Sequence, residues 1–245
     1  MKRKMNDHID GPRRIKGVRV RSYGTRFLLA EDPISEGGIW LNGKKDAIDW
    51  TDVVTKNGIA YGAAAQVAVP ERRLEQGNLS PTSGLAAPEG DYSDPAALLA
   101  GVWGKNQHVR AEVFSRNQTE EYFQEVEIRL RSTLMPHIGT GYEVFWRCLK
   151  TENAYAEVVT WNGKVKDWTS LQRHVGSEFG VKHGDVVEAT IVGDVIKGFI
   201  NGVEVLSVTD DKFDTGSPGI GFNFGVGDTN VDHGFSSFEV ETYSD

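Results

Sequence analysis

Residues 124–132 read QEVEIRLRS, and polar and apolar residues alternate along this stretch almost without interruption. The apolar positions are Val126, Ile128 and Leu130. The charged positions between them are Glu125, Glu127, Arg129 and Arg131. Successive side chains of a β-strand point to opposite faces, so a period of two is typical of a strand with one buried face. We therefore expect the aliphatic side chains to face a core and the charged row to face outward.

The same alternation recurs through the second half of the chain, at intervals of roughly 8–12 residues. Further stretches of this kind are HVRAEVFS at 108–115, GYEVFWRCL at 141–149 and YAEVVTW at 155–161. Asn-Gly pairs at 162–163 and 201–202 and a Gly-Asp pair at 193–194 are turn signals between strands. No helical period of useful length competes. The pattern predicts an all-β fold, a two-sheet antiparallel β-sandwich of the jelly-roll type.

The organisation of the chain follows from its composition. The 245 residues are 39% hydrophobic and include 28 glycines, which suits one sizeable, turn-rich β domain. We predict a flexible basic arm at 1–14 and a single domain at 15–245. A long loop insertion, rich in Pro and Gly, is expected around 62–102. Within it, DPAALLA at 94–100 places Asp before Pro, which predicts one helical turn.

Charge and apolar content exclude several classes of protein. A net charge of −8 disfavours binding to nucleic acid, whose phosphates require clustered Lys and Arg. No stretch approaches the roughly 18 apolar residues of a membrane-spanning helix. The single cysteine, Cys148, allows no intrachain disulfide and is expected to be a buried, inert side chain. The basic N-terminus has no apolar segment after it, so we expect no signal peptide in this chain.

The C-terminal third carries a resemblance to a known superfamily. Residues 184–222 read GDVVEATIVGDVIKGFINGVEVLSVTDDKFDTGSPGIGF. This order of an Asn-Gly turn, a Val-rich strand, an acidic loop and a PGIG strand resembles the closing strands of concanavalin A-like lectin/glucanase (laminin G-like) jelly rolls. The opening segment EDPISEGGIWLNG at 31–43 is similar to that of bacterial and phage members. The resemblance covers roughly residues 20–243. It implies an extracellular or virion-associated location if a signal was removed or the protein comes from a phage.

The resemblance implies carbohydrate recognition on the concave face of one sheet. The residues expected to bind a polysaccharide there are Glu127, Arg129, Arg131, Tyr142, Arg147, Trp103 and Trp161. Arginine pairs with carboxylates, which favours an acidic or uronate-containing glycan. Tryptophan, at Trp103, Trp161 or Trp168, stacks on the apolar face of a sugar.

Two alternatives to simple binding stay open. The candidate catalytic residues are Glu125, Glu127, Arg129, His137 and Tyr142. Glucanases of the superfamily carry E-x-D-x-E, whereas Arg129 takes the third position here, which argues against their mechanism. Alginate lyases of the superfamily use an Arg, a Gln-His pair and a Tyr, so a lyase is favoured over a hydrolase. The Gln and His at 107–108 are adjacent, however, and do not match the Q-x-H spacing of that family.

The other alternative is a structural or adhesion module. In that case the groove is filled or flat. Separately from these functions, the charged row is also consistent with a cross-strand ladder of exposed pairs, each contributing roughly 0–1 kcal/mol. No histidine spacing is typical of zinc, and we expect no cofactor. Calcium is the one metal with candidate ligands, Asp228 and Asp232 in the acidic loop at 227–234.

Overall fold

The computed structural model describes residues 17–63, 94–225 and 230–244. The first strands are β1 Arg19–Thr25, β2 Trp40–Asn42, β3 Val53–Lys56, β4 Ile59–Gly62 and β5 Ala96–Leu99. The middle strands are β6 Asn106–Ser115, β7 Gln124–Met135, β8 Ile138–Arg147, β9 Tyr155–Gly163 and β10 Trp168–Val175. The last are β11 Val186–Val192, β12 Val195–Ile200, β13 Val203–Thr209, β14 Ser217–Phe224 and β15 His233–Tyr243. Single helical turns occur at Gly43–Ala47, Ser177–Phe179 and Asn230–Asp232.

These strands form two sheets that pack face to face. One sheet has the order β13-β12-β11-β6-β15-β4-β3, with β1 also paired to β15. The other has the order β10-β9-β8-β7-β14-β5-β2. Strand pairs within both sheets are antiparallel. The predicted two-sheet antiparallel sandwich is confirmed. The predicted basic arm at 1–14, and most of the predicted loop insertion, lie outside the described residues.

The core between the sheets contains the aliphatic side of β7. Val126, Ile128 and Leu130 are fully buried there, as the alternation predicted. Burial of each aliphatic side chain stabilises the fold by roughly 1.5–3 kcal/mol. Pairing of β7 with β8 places Trp146 opposite Val126 and Tyr142 opposite Leu130, so both aromatic rings also lie in the core.

A β-bulge interrupts β7 just after the aliphatic triplet. The pairing with β8 shifts between Leu130 and Thr133, and Arg131 adopts a φ of 46°. The bulge breaks the period of two, so the expected outward position of Arg131 was wrong. Its buried guanidinium donates instead, at 2.8, 2.9 and 2.6 Å, to the main-chain oxygens of Lys105, Phe213 and Gly193.

Residues 96–99 form a strand where a helical turn was expected. β5 pairs with β14 on one side and with β2 on the other. All four of its side chains are buried, with Ala97 in the main core and Ala96 in a second apolar cluster on the far side of the sheet. A strand buried on both faces reads as a continuous apolar run, which periodicity cannot separate from a helix. Among the described residues, no helix has the length and apolar character needed to cross a membrane.

Candidate functional site

The seven-stranded sheet has an outer face, defined here as the side that points away from the core. On it, Glu127 of β7 lies opposite Phe145 of β8, which lies opposite Glu157 of β9. In the next row Arg129 lies opposite Glu143. The side chains of these rows other than Arg129 line a cavity of about 80 Å³. Its carboxyl groups are those of Asp94, Glu125, Glu127, Glu143 and Glu157, and its other polar or aromatic side chains are Phe145, Trp161, Trp168, Arg173 and Asn223.

The outer face is buried over most of this area. Glu125, Glu127 and Arg129 are only 4%, 2% and 5% exposed. A ladder of exposed ion pairs therefore does not describe the row. The segment that carries Trp50 covers one end of the face, where the Trp50 and Trp161 rings meet edge to face at 6.0 Å. On the rim of the cavity, the part-exposed residues are Trp168, Arg173 and Asn223.

Arg129 forms the centre of the charged groups. Its Nη2 lies 2.6 Å from Asp94 Oδ1, 2.7 Å from Glu143 Oε2 and 3.4 Å from Glu127 Oε2. Glu143 Oε2 also accepts a hydrogen bond of 2.8 Å from Trp161 Nε1. One guanidinium thus faces three buried carboxyl groups and carries a single compensating charge.

A glycine in β14 makes room for this arrangement. Gly221 pairs with Glu127, and a Cβ at Gly221 would lie 2.2 Å from Glu127 Oε2 and 3.2 Å from Arg129 Nε. The side chains of β7 therefore lie across the backbone of β14 and reach Asp94, two residues before β5. This gives the PGIG stretch a physical role, because only a residue without Cβ permits so close an approach.

Two further contacts join β7, β9 and β10. Tyr155 donates its hydroxyl hydrogen to Glu125 Oε1. Arg173 Nη1 pairs with Glu157 Oε2 at 2.8 Å. The Arg173 guanidinium also lies over the Tyr155 ring, 3.7 Å from the ring centroid, which is the geometry of a cation–π contact.

Burial changes the acidity of the carboxyl groups. Removal from water raises the pKa of Glu125 to about 7, and the Tyr155 hydrogen bond opposes the shift. Removal from water also raises the pKa of Glu143 to about 8, although Arg129 lowers it. The pKa of Glu127 is raised well above its ordinary value by burial, and then by Glu143 and Asp94. Part of this group is therefore protonated at neutral pH.

The residues expected of a lyase are not brought together. Tyr142 is fully buried in the core, and its hydroxyl donates to Asp210 Oδ1 at 2.6 Å. His137 lies in the exposed turn between β7 and β8, 3.0 Å from Asp49. His108 belongs to the other sheet and pairs with Glu188 at 2.8 Å. The expected grouping of Tyr142 and His137 with Arg129 was wrong. Tyr142 faces the core because even positions of β8 point away from the outer face that carries Glu143, and His137 lies in the turn before β8.

The other aromatic and basic residues that were expected to bind a polysaccharide lie in different environments. Trp103 is 7% exposed and packs in the core, with Arg21 4.0 Å above its ring, so it offers no stacking surface. Trp161 lines the cavity but is buried. Arg147 is half-buried on the outer face, 5.9 Å from the Tyr155 ring centroid.

The possible metal ligands lie at two places. Oxygens of Asp94, Glu127 and Glu143 lie within 4.8 Å of one another, but Arg129 occupies the position among them that a cation would take. Of the two calcium candidates, Asp228 lies outside the described residues. Asp232 accepts a hydrogen bond of 3.2 Å from Asn117 and lies 3.6 Å from Arg116, so its carboxylate is engaged by protein groups.

Sequence reasoning missed Asp94, Glu143, Glu157 and Arg173. Glu143 and Glu157 alternate with apolar residues on β8 and β9, as Glu127 does on β7. Three neighbouring strands each carry a glutamate on the same face of the sheet, and this pattern was the sequence signal that could have revealed the cluster. Asp94 offered no such signal, because it reaches the cavity from the edge of the loop insertion.

Comparisons with known proteins give the fold. No family model matches the chain, and no curated protein matches it. Among solved structures, the CBM2 module of the evolved Dit of Lactobacillus casei BL23 phage J-1 has a similar fold, with a TM-score of 0.55 and 12% sequence identity. The match covers 93% of this chain and 97% of that one. The endo-beta-1,3-glucanase from Pyrococcus furiosus has a TM-score of 0.51, 12% identity and coverage of 90% and 93%.

The carbohydrate binding module CBM66 from Bacillus subtilis has a TM-score of 0.50 and 10% identity, with coverage of 87% of this chain and 98% of that one. These matches extend over nearly the whole length of both chains, and identities this low carry information about architecture only. The chain has the concanavalin A-like jelly-roll fold.

Proposed function

We propose that the chain binds carbohydrate on the outer face of its seven-stranded sheet, at the cavity beside Trp168. The observation that carries the proposal is a buried, carboxyl-lined cavity with a part-exposed tryptophan on its rim. Carboxylates accept hydrogen bonds from sugar hydroxyls, and an indole ring packs on the apolar face of a sugar. Two solved structures of the same fold are described as a carbohydrate binding module and an endo-beta-1,3-glucanase, which supports this class of ligand.

The dimensions of the cavity limit what enters it. Its volume of about 80 Å³ is well below the roughly 300–1,000 Å³ of pockets that enclose a whole ligand. One substituent of a sugar ring therefore enters the cavity while the ring itself stays at the rim. Trp168, Arg173 and Asn223 line the cavity and are part-exposed, which supports their contact with the ring.

The charges favour a glycan without carboxylates. Arg129 is engaged by three carboxyl groups, and Arg131 is directed to main-chain oxygens elsewhere. These two arginines were the basis for expecting an acidic or uronate-containing ligand. A uronate at this cavity would meet the carboxyl groups that line it, so like-charge repulsion would disfavour it.

Affinity electrophoresis over a panel of neutral and acidic polysaccharides tests the proposal. Substitution Trp168→Ala should weaken binding roughly tenfold, about 1.4 kcal/mol. The control is Phe114→Ala, which removes a part-exposed aromatic ring from the solvent side of the other sheet. The proposal fails if no polysaccharide retards the protein, or if both variants lose binding equally.

Hydrolysis of a glycosidic bond is the second candidate, and the pKa of Glu125 near 7 favours it. A carboxyl group that holds its proton at neutral pH can act as a general acid. Glu125 and Glu127 are two residues apart on β7, roughly 6–7 Å, which is close to the separation in inverting glycosidases. Release of reducing ends by the wild-type protein, lost in Glu125→Gln, would establish this activity. Absence of such release from every glycan that binds would exclude it.

A further inference from the structure

A short stretch of chain, residues 44–50 and here called the Trp50 segment, covers a second tryptophan beside the cavity. The Trp50 ring is 2% exposed and meets the Trp161 ring edge to face, at 6.0 Å and 64°. Trp161 is the cross-strand partner of Trp168 in the pairing of β9 with β10. Directly opposed side chains of antiparallel strands lie about 5 Å apart at Cβ. Trp50 therefore covers the immediate neighbour of the tryptophan that lies on the rim.

The Trp50 ring lies against a position without a side chain. A Cβ at Gly139 would lie 2.6 Å from Trp50 Cζ2 and 3.0 Å from Trp50 Cε2, and its three nearest atoms all belong to this ring. Gly139 does not have a positive φ. A side chain at this position would therefore disturb the seat of the Trp50 ring and would not strain the backbone.

Two features of the Trp50 segment oppose this placement of the ring. Ile48 has a φ of 72° and a ψ of −52°, and Asp49 N donates a hydrogen bond of 2.8 Å to Ala47 O. This is the strained form of the γ-turn, which a β-branched residue rarely adopts. Among the described residues, Trp50 Nε1 has no hydrogen-bond acceptor, although the atom is buried. Strain and an unsatisfied donor both favour a state in which the ring has left its seat.

Trp161 is held by contacts that do not involve Trp50. Its Nε1 donates a hydrogen bond of 2.8 Å to Glu143 Oε2, and the Arg129 guanidinium lies 5.0 Å from its ring centroid. Both partners belong to the same sheet as Trp161. The Trp161 ring therefore keeps its position when Trp50 moves away.

We propose that Trp161 is a second surface on which a sugar ring stacks, and that Trp50 is its displaceable cover. This inference rests on the proposed carbohydrate binding. A glycan of one or two units reaches Trp168 alone, whereas a longer chain places a further ring on Trp161, where the apolar face of the sugar replaces the Trp50 indole. Displacing the cover lowers the affinity for the longer chain by the fraction of molecules in which Trp161 is accessible.

Isothermal titration calorimetry with cello-, laminari- and manno-oligosaccharides of two and six units tests the inference. The wild type should bind a hexasaccharide more tightly than the disaccharide of the same series. Gly139→Ala pushes the indole from its seat and should bind that hexasaccharide roughly tenfold more tightly than the wild type does, while its affinity for the disaccharide changes less than about twofold. Trp50→Ala, which removes the cover, should give the same gain.

Two control variants separate this effect from a general loosening of the fold. Gly24→Ala adds a methyl group that meets no atom closer than 3.5 Å, and Trp103→Ala removes a tryptophan of the main core. Neither should gain affinity for the hexasaccharide. The indole ¹H–¹⁵N signal of Trp50, assigned by its loss in Trp50→Ala, reports the cover directly. Addition of the hexasaccharide to the wild type should move this signal toward its position in Gly139→Ala, and the disaccharide should not.

The outcomes separate this inference from the proposed function. Binding of hexasaccharide and disaccharide with equal affinity, or hexasaccharide binding that leaves the Trp50 signal in place, would overturn the second surface and leave carbohydrate binding intact. A gain of affinity in Trp103→Ala equal to that in Gly139→Ala would overturn the role of Trp50 as a cover. Failure of every oligosaccharide to bind to the wild type and to both Trp50 and Gly139 variants would overturn both proposals. The length comparison and the Trp50 signal use the wild-type protein, so they decide the question even if a variant does not fold.

Discussion

Substitution Arg129→Met tests the charge arrangement of the cavity most directly. The change keeps much of the aliphatic volume and removes the guanidinium that lies 2.6, 2.7 and 3.4 Å from three buried carboxyl groups. Removing one partner of a buried ion pair costs about 3–5 kcal/mol, because the remaining charge is left uncompensated. We expect a loss of this size in the free energy of unfolding near pH 8. Near pH 5 the loss should be smaller, because protonated carboxyl groups need no counter-charge.

The assay is equilibrium unfolding in urea at both pH values, for the wild type and the variant. Arg110→Met is the matched control, since Arg110 is exposed on the solvent side of the other sheet, and a surface change of this kind should fall within about 0.5 kcal/mol of the wild type. A loss below about 1 kcal/mol, or a loss of equal size at both pH values, would refute the view that Arg129 neutralises these carboxyl groups. Circular dichroism of the folded state confirms that both variants start from the same structure.

Three other predictions concern single residues of the described chain. Gly221→Ala should destabilise the protein by about 1–3 kcal/mol and weaken glycan binding, because its Cβ would lie 2.2 Å from Glu127 Oε2. The control is Gly24→Ala, whose Cβ would meet no atom closer than 3.5 Å. Equal losses of unfolding free energy in the two variants would contradict this explanation. Glu125, with its pKa raised from 4.5 to about 7, contributes stability that is complete below about pH 4.5 and lost as pH rises to about 7, a change of about 3 kcal/mol. The unfolding free energy of Glu125→Gln should therefore fall less steeply than that of the wild type over this pH range. Plots of unfolding free energy against pH that run parallel for the two proteins would count against this role of Glu125. Cys148, buried with a pKa of about 12, should react with a thiol reagent near pH 8 only after denaturation, and modification of the folded protein at the rate of a free thiol would show this wrong.

The sandwich fold could be predicted because its strands alternate with a period of two. The aliphatic side of β7 was placed in the core from this period alone, and the two turn signals after β11 and β12 lie where those strands end. Local patterns of this kind reflect burial of one face, which is a property of each strand by itself. They assign a side chain to the inner or the outer face without any knowledge of its neighbours.

The features that were not predicted depend on neighbours. Arg131 leaves the row because a bulge shifts the pairing of two strands, and that pairing is set by contacts with β8. The outer face is buried because separate segments cover it, among them the one that carries Trp50. Asp94 meets Arg129 across 35 positions of sequence. Alternation along one strand contains no information about any of these long-range contacts.

The buried carboxyl groups themselves argue that the outer face has a function beyond packing. Replacing a buried charged network by apolar side chains of similar volume is often neutral or stabilising by about 1–4 kcal/mol. On the same face, Val159 and Ala96 show that apolar residues are accommodated there. Glu127, Glu143 and Glu157 nevertheless occupy three neighbouring strands, at a cost visible in the raised pKa values of Glu127 and Glu143. Since local rules are typically broken at functional sites, this cost supports the proposed location of the binding site on the outer face.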